Sequence, residues 1–298
     1  MYTYFSLTKR NITLFFKDKG MFYSSLITPA ILLVLYVTFL GKVYRSNYSS
    51  AIPRGITIPS AVLDTLVSSQ LSSSLLAVSC ITVAFASNML MVQDKANKTI
   101  TDLTVSPVKR TTLGIAYLSA TFLSTLIVNL TGMVMCLCYM VWTGWEFSFH
   151  NLALITGDVI LLTFFGTVLS SIINFPLSTH GQISAVSSIV SAGYGFICGA
   201  YMPMSLFPSG LRTVLTYLPN TYGTALLRTH IMGDALQQAG EQKIPGAVLD
   251  QIKKSTDYTI LFRGHAVSVP AMVLIMMAAV VICLLIFVIQ NLTVREKS

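Results

Sequence analysis

The stretch "VSVPAMVLIMMAAVVICLLIFVI", residues 267–289, contains 23 residues and none of the charged amino acids. A helix rises about 1.5 Å per residue, so a run of this length exceeds the roughly 30 Å thickness of a bilayer's hydrocarbon core. The stretch therefore predicts a helix that spans a membrane.

Five more apolar runs of similar character precede it, at residues 21–40, 62–92, 113–142, 152–173 and 183–202. The chain of 298 residues is 54% hydrophobic and only 10% charged, whereas soluble domains carry about 25% charged residues. Strands of a membrane barrel alternate in polarity over about 10 residues, and these runs do not. We predict an all-α membrane protein with six transmembrane helices in a single domain, residues 1–298.

The distribution of basic residues predicts the orientation. Six spans place both termini on one side, and short flanks rich in Lys and Arg stay in the cytoplasm. Residues 1–19, 93–112 and 290–298 hold ten Lys or Arg, while 41–61 holds three and 143–151 holds none. We expect both termini and segment 93–112 on the cytoplasmic side of the cell membrane. The bases suit membrane lipids as partners, and no pattern indicates nucleic acid.

Residues 1–19 have a helical polar stripe formed by Ser6, Lys9, Arg10, Thr13 and Lys17. The other positions are mostly apolar, which predicts an amphipathic helix in the headgroup plane. A loosely ordered basic anchor is the alternative.

Residues 203–266 form the longest aqueous segment. Prolines punctuate its first part, and it becomes polar after position 233. We expect it outside the cell, with its first part turning back toward the membrane as a re-entrant hairpin.

The sequence lacks the patterns of an enzyme. Its four histidines and five cysteines show no metal-ligand spacing, and the cysteines lie in apolar runs, where a free thiol usually acts as a small hydrophobic group. The pair Gly41-Lys42 is followed by Val43 and lacks the other glycines of a nucleotide-binding loop. We therefore expect no catalytic residue, no metal and no cofactor in this chain.

A Gly-Tyr-Gly sequence at residues 193–195 raises the alternative of a potassium-type filter. It falls in the middle of an apolar run, where small residues more often permit close packing of helices.

Polar side chains inside apolar runs tend to face a bundle interior or a cavity. Here they are Asn88, Asn129 and Asp158. They are candidates for lining a substrate path, and hydrogen bonds between helices are the equal alternative.

The stretch "DKANKTITDLTVSPVKR", residues 94–110, resembles the cytoplasmic coupling segment of ABC type-2 permeases, the membrane subunits of ATP-binding-cassette exporters. The matching positions are Asp94, Lys95, Thr99, Leu103, Ser106 and Pro107. Three positions depart from the family pattern: Ala96 replaces an acid, Lys98 replaces a glycine, and Thr101 replaces an acid, with Asp102 one place later.

A second stretch, residues 199–228, is similar to the end of the fifth span and the external hairpin of the same family. The matching positions are Gly199, Pro203, Pro208, Leu218, Pro219, Tyr222 and Arg228. The two motifs, in this order and at this spacing, extend the resemblance over nearly the whole chain.

A short helix at 94–104, stopped near Pro107, is predicted to present Asp94, Lys95, Lys98 and Asp102 outward while Ile100 and Leu103 pack on the bundle. A solvated loop is the alternative. The resemblance implies that this helix docks on a separate ATPase subunit, present in two copies, which binds ATP and Mg²⁺. It also implies a second permease copy, as a homodimer or with a related chain, and a substrate that moves outward between the copies. An ATP-independent channel or ion-coupled transporter is the competing function, and the sequence leaves the substrate open.

Overall fold

The computed structural model describes residues 1–51, 59–105, 108–146, 148–241 and 244–293. Almost all of the secondary structure is helical. The elements are α1 (Tyr2–Lys17), α2 (Lys19–Leu35), a π-helical turn (Tyr36–Leu40), α3 (Gly41–Ala51), α4 (Ser60–Ser87), α5 (Met89–Ala96), α6 (Thr99–Val105), α7 (Arg110–Trp142), α8 (Phe149–Asn174), α9 (His180–Ile197), a 3-10 turn (Met204–Leu206), α10 (Ser209–Leu215), α11 (Pro219–Glu241), α12 (Gly246–Ser255), β1 (Leu261–Phe262), β2 (His265–Ala266) and α13 (Val269–Thr293).

Within the described ranges, five helical stretches are long and apolar enough to cross a membrane. They are Lys19–Ser46, Ser60–Ala96, Arg110–Trp142, Phe149–Asn174 and Val269–Thr293. The prediction of an all-α, multi-pass membrane protein is confirmed. The remaining predicted span, 183–202, coincides largely with α9, which has 18 residues and a serine-rich surface. A count of six spans stays a prediction.

The central element is α4, which is buried along nearly its whole length. It packs against α2, α7, α8, α9 and α11. Helix α8 comes close to it at Gly166, where an added Cβ would lie 2.7 Å from the carbonyl oxygen of Cys80. Because real Cβ atoms do not approach an oxygen so closely, α4 and α8 require a glycine at this crossing.

Residues 2–17 form a helix, as predicted, and this helix lies against α7. Leu7, Asn11 and Phe15 face the contact and are buried, and the Tyr4 hydroxyl hydrogen-bonds Ser119 Oγ at 2.8 Å. A loosely ordered anchor does not fit these contacts. The predicted polar stripe is wrong for Arg10, which turns toward Asp94, whereas its other members, Ser6, Lys9, Thr13 and Lys17, are exposed. A position in the headgroup plane stays a prediction.

The segment 203–266 is more structured than its composition suggests. Helix α11 has 23 residues and packs against α4, α8 and α13, so the polar composition that begins at position 233 does not prevent its last turns from packing in the bundle. Beyond α12, β1 and β2 form a two-stranded hairpin that pairs Leu261 with Ala266 and Phe262 with His265. Whether α10 and α11 re-enter the membrane stays a prediction.

Candidate functional site

The predicted coupling segment contains two helices instead of one. Helix α5 ends at Ala96 and α6 begins at Thr99, with a tight turn at Asn97 and Lys98 between them. Lys98 has a φ of 61°, in the left-handed region that glycine adopts most easily. The single helix predicted at 94–104 is therefore wrong, because the backbone reverses its hand at Lys98.

Asp94 faces the protein interior. Its side chain accepts hydrogen bonds from Arg10 Nη1 at 2.9 Å, from Arg10 Nη2 at 3.4 Å and from the Tyr117 hydroxyl. The bond to Asp94 raises the pKa of the Arg10 guanidinium, so this cation stays protonated. Since Asp94 is only 6% exposed, its predicted place on the docking surface is wrong, and it joins α1, α5 and α7 instead.

Lys95 also turns inward. Its Nζ donates to the carbonyl oxygen of Phe175 and lies 4.8 Å from the centre of the Phe175 ring. The ammonium thus caps the chain just beyond the C-terminal end of α8, and its predicted outward direction is wrong.

The outer surface of the segment is formed by α6 and the turn before it. Lys98 and Asp102 are exposed, and Thr99 is partly exposed. Ile100 and Leu103 pack against buried apolar residues from four helices, including Leu7, Val92, Leu113 and Ile183. Ser106 and Pro107 lie outside the described residues.

The second predicted motif surrounds a buried arginine. Arg228 is 1% exposed, and its Nη2 donates to Ser74 Oγ at 3.2 Å and to the Gly199 carbonyl at 3.1 Å. Gly199 has a φ of 71°, and a Cβ there would lie 3.1 Å from Met204 Cγ. The structure therefore brings Gly199 and Arg228, two positions of the motif, into direct contact.

Asp257 completes this cluster. Its Oδ2 lies 3.9 Å from Arg228 Nη1 and accepts a hydrogen bond from the Met204 backbone N–H at 2.5 Å. One carboxylate thus neutralises the guanidinium and fixes the chain after α9. A motif search around Arg228 does not find this partner, because Asp257 is distant in sequence and follows α12.

The prolines and the tyrosine of the motif shape the backbone before α11. Pro203 precedes the 3-10 turn, Pro208 precedes α10, and Pro219 is the first residue of α11. The Tyr222 hydroxyl donates to the Thr216 carbonyl at 2.7 Å. These contacts close the loop between α10 and α11.

Both motifs therefore have a defined geometry, and they flank a helical bundle with several membrane-capable helices. A family model described as "ABC-2 family transporter protein" matches residues 47–289. The chain belongs to the ABC-2 family. It is accordingly a permease of an ABC transporter. Among curated proteins, no match is found.

The polar candidates inside this ABC-2 permease join its own helices. Asn88 Nδ2 donates to Ser170 Oγ at 3.1 Å and to Ser171 Oγ at 2.9 Å. Asn129 accepts from Ser79 Oγ at 2.9 Å and donates to Thr163 Oγ1 at 3.0 Å. Both asparagines are at most 1% exposed, so this geometry favours interhelical hydrogen bonds over a place on a substrate path.

Asp158, the third candidate, pairs with a histidine. His230 Nδ1 lies 2.5 Å from Asp158 Oδ2 and connects α11 to α8. Asp158 is 5% exposed, so this residue also lies between helices of the permease, and its role in a path stays a prediction.

Neither a filter nor a metal site has structural support. Residues 193–195 lie within the α-helical part of α9, whereas a potassium filter needs extended backbone. Among the described residues, no three His, Cys, Asp or Glu side chains lie close enough to hold a metal ion.

Proposed function

We propose that this ABC-2 permease is the membrane subunit of an ATP-driven exporter. It moves an amphipathic or hydrophobic substrate, such as a drug, a peptide or a lipid-like molecule, out across the cell membrane. Two copies of a separate ATPase subunit bind ATP and Mg²⁺ and supply the energy. The functional unit contains two permease copies, with homodimer as the first expectation and six spans in each copy.

The observation that carries the proposal is the two-sided character of α6. One side is held in the protein by Ile100 and Leu103, while Lys98 and Asp102 are exposed. A solvated loop, the alternative for this segment, would not need a helix that is held in place by buried apolar contacts. Exposed charges of both signs on a fixed helix suit recognition by a complementary protein surface.

The anchors of this segment support a role in transmitting movement. Asp94 connects it to α1 and α7, and Lys95 connects it to the end of α8. A displacement of α6 by a partner would therefore act on three helices. Because α1 and α6 lie at the same end of the bundle, the bases of residues 1–19 and 93–112 share one side, in line with the proposed cytoplasmic orientation.

The surface of α9 supports a second copy. Helix α9 exposes Ser184, Ser188 and Ser191 beside apolar side chains such as Ile189, while the exposed side chains of α13 are almost all apolar, for example Leu274. Hydroxyl groups are poorly suited to face lipid, whereas apolar side chains are well suited. We therefore place α9 next to the partner permease, with the substrate path between the two copies, and α13 next to lipid.

The test reverses one exposed charge on α6. We expect Asp102→Lys to leave insertion and folding intact, because exposed substitutions usually change stability by about 0.5 kcal/mol or less. It should lower copurification of the ATPase and ATP-dependent export by about tenfold, since like charges at a docked surface oppose binding. We do not reverse the charge of Asp94, because this side chain is buried and its substitution would disturb the fold as well as any docking.

The matched control is Asp250→Lys. Asp250 is exposed on α12, far along the chain from the segment, so this reversal should leave export and copurification unchanged. Normal export by Asp102→Lys would contradict the docking role. Export by the purified chain without any ATPase would favour the alternative, an ATP-independent channel or ion-coupled transporter.

A further inference from the structure

A cavity of about 630 Å³ lies between the coupling segment and the ends of the spanning helices. This volume is within the range of small-molecule sites, roughly 300–1,000 Å³. Its lining includes Lys95 and Arg110 together with the apolar side chains of Met91, Leu113 and Phe287. The cavity therefore combines cationic groups with a hydrophobic wall.

The cavity lies at one end of the bundle. Arg110 is the first residue of α7, Phe175 directly follows α8, and Phe287 is in the last two turns of α13. The beginning of one span and the ends of two others meet here. In a bilayer this position is at the boundary between hydrocarbon and headgroups.

The charge of the cavity is positive. No acidic side chain appears among the described residues that line it. The carboxylate next to Lys95 in sequence, Asp94, is already paired with Arg10 at 2.9 Å. Lys95 uses one of its three donors on the Phe175 carbonyl and keeps the others, and Arg110 is exposed on the first turn of α7.

We propose that this cavity binds an anionic phospholipid. The phosphate lies between Lys95 and Arg110, and an acyl chain runs along the partly exposed lining side chains Ile100, Phe175 and Leu177. Charge complementarity selects the headgroup, because basic pockets between spanning helices attract anionic lipids. The apolar wall distinguishes a lipid from a free phosphate, which has nothing to bury against it.

The same lipid would touch the coupling segment, since Ile100 and Thr101 of α6 also line the cavity. The lipid would then fill the space behind the surface that meets the ATPase. This consequence rests on the proposed function, whereas the lipid site itself does not. Stimulation of ATP hydrolysis by anionic lipid is accordingly expected in the assembled exporter.

The experiment measures lipid retention on the purified permease by native mass spectrometry. The probes are phosphatidylglycerol, phosphatidylcholine with the same acyl chains, and glycerol 3-phosphate. We expect preferential retention of phosphatidylglycerol, and a decrease of about fivefold in its affinity in Arg110→Gln, because each basic side chain near an anionic headgroup contributes about that factor. Lys95→Gln should act in the same direction.

The matched control is Lys9→Gln, which removes an exposed base from α1 without touching the cavity, and which should retain normal binding. Melting temperatures of all variants check that they fold. Equal affinity for phosphatidylglycerol in Arg110→Gln and the unmodified chain would overturn the proposal. Tight binding of glycerol 3-phosphate would also overturn it, in favour of a soluble anion. Binding of no probe would overturn it as well and leave the ATPase as the candidate occupant.

The binding assay needs no ATPase, so it is independent of the exporter assignment. A selective lipid site in a permease that has no ATPase partner would contradict only the proposed function. An active exporter whose Arg110→Gln variant binds phosphatidylglycerol normally would contradict only the lipid site.

Discussion

Removal of the Arg228 cation is expected to be the most destabilising single change in the motif at residues 199–228. In Arg228→Met, the hydrogen bonds to Ser74 and Gly199 are lost, and the carboxylate of Asp257, 7% exposed, loses the guanidinium that lies 3.9 Å away. Breaking a buried pair by removing one partner costs about 3–5 kcal/mol. With at least about 2 °C lost per kcal/mol for a large domain, we expect the melting temperature to fall by 6 °C or more.

The assay is thermal unfolding in detergent, followed by the loss of the monodisperse peak in size-exclusion chromatography. Lys254→Met is the matched control, because Lys254 is exposed on α12 and should melt near the unmodified protein. Adding Asp257→Asn to Arg228→Met should restore part of the loss, since it removes a buried negative charge that no longer faces Arg228 and keeps an acceptor for the Met204 N–H. An Arg228→Met protein that melts within 2 °C of the unmodified chain would refute the buried pair as a stabilising element.

Three further predictions concern the predicted coupling segment and the orientation of the chain. Asp94→Asn should lower the free energy of unfolding by about 1–2 kcal/mol in a detergent titration, because it weakens a charge-assisted hydrogen bond to the partly exposed Arg10. An unchanged free energy of unfolding would contradict a stabilising role for the Arg10–Asp94 pair. Lys98→Gly should be tolerated, whereas Lys98→Val should lower the free energy of unfolding by about 1–2 kcal/mol, since a β-branched residue is strained at a φ of 61°. Equal melting temperatures for the two variants would contradict backbone strain at this position. In a cysteine-free background, a cysteine at Ser49 should react with an impermeant maleimide in intact cells and one at Asn97 should not; labelling at Asn97 from outside would reverse the proposed orientation.

The spanning helices were the most predictable part of the fold. The runs predicted at 113–142 and 152–173 became α7 (Arg110–Trp142) and α8 (Phe149–Asn174), because a long uncharged run has few alternatives to a helix in lipid. The sequence analysis did not identify the packed face of α11, because polar residues interrupt its helical stripe. Ile231, Ala235 and Ala239 are buried on it, and their spacing of four was present in the sequence but masked by the Gln and Gly residues between them.

The candidate sites were predictable in position and less so in direction. Lys98 was identified as a departure from a family glycine, and its φ of 61° gives the physical reason why glycine suits that position. By contrast, the burial of Asp94 depends on Arg10 and Tyr117, which lie 84 and 23 residues away in sequence. A charged residue in a polar stretch is ordinarily solvated, so only the packed structure distinguishes an anchor from a docking residue.

In segment 89–105, the residues that bond to the rest of the bundle are different from those that are exposed, and this separation suggests how movement could pass through the segment. Asn88, at the junction of α4 and α5, is bonded to Ser170 and Ser171 of α8, so the base of the segment is attached to the bundle. Asp94 and Lys95 attach its middle, and the exposed charges of the segment follow from the turn onward, at Lys98 and Asp102. A force applied to α6 therefore reaches α1, α7 and α8 through polar contacts, which change partners more readily than interdigitated apolar packing does. Under the proposed docking of α6 on an ATPase subunit, changes at Asp102 should weaken binding of that subunit, whereas changes at Asp94 should leave the binding intact and weaken transmission of movement to the membrane helices.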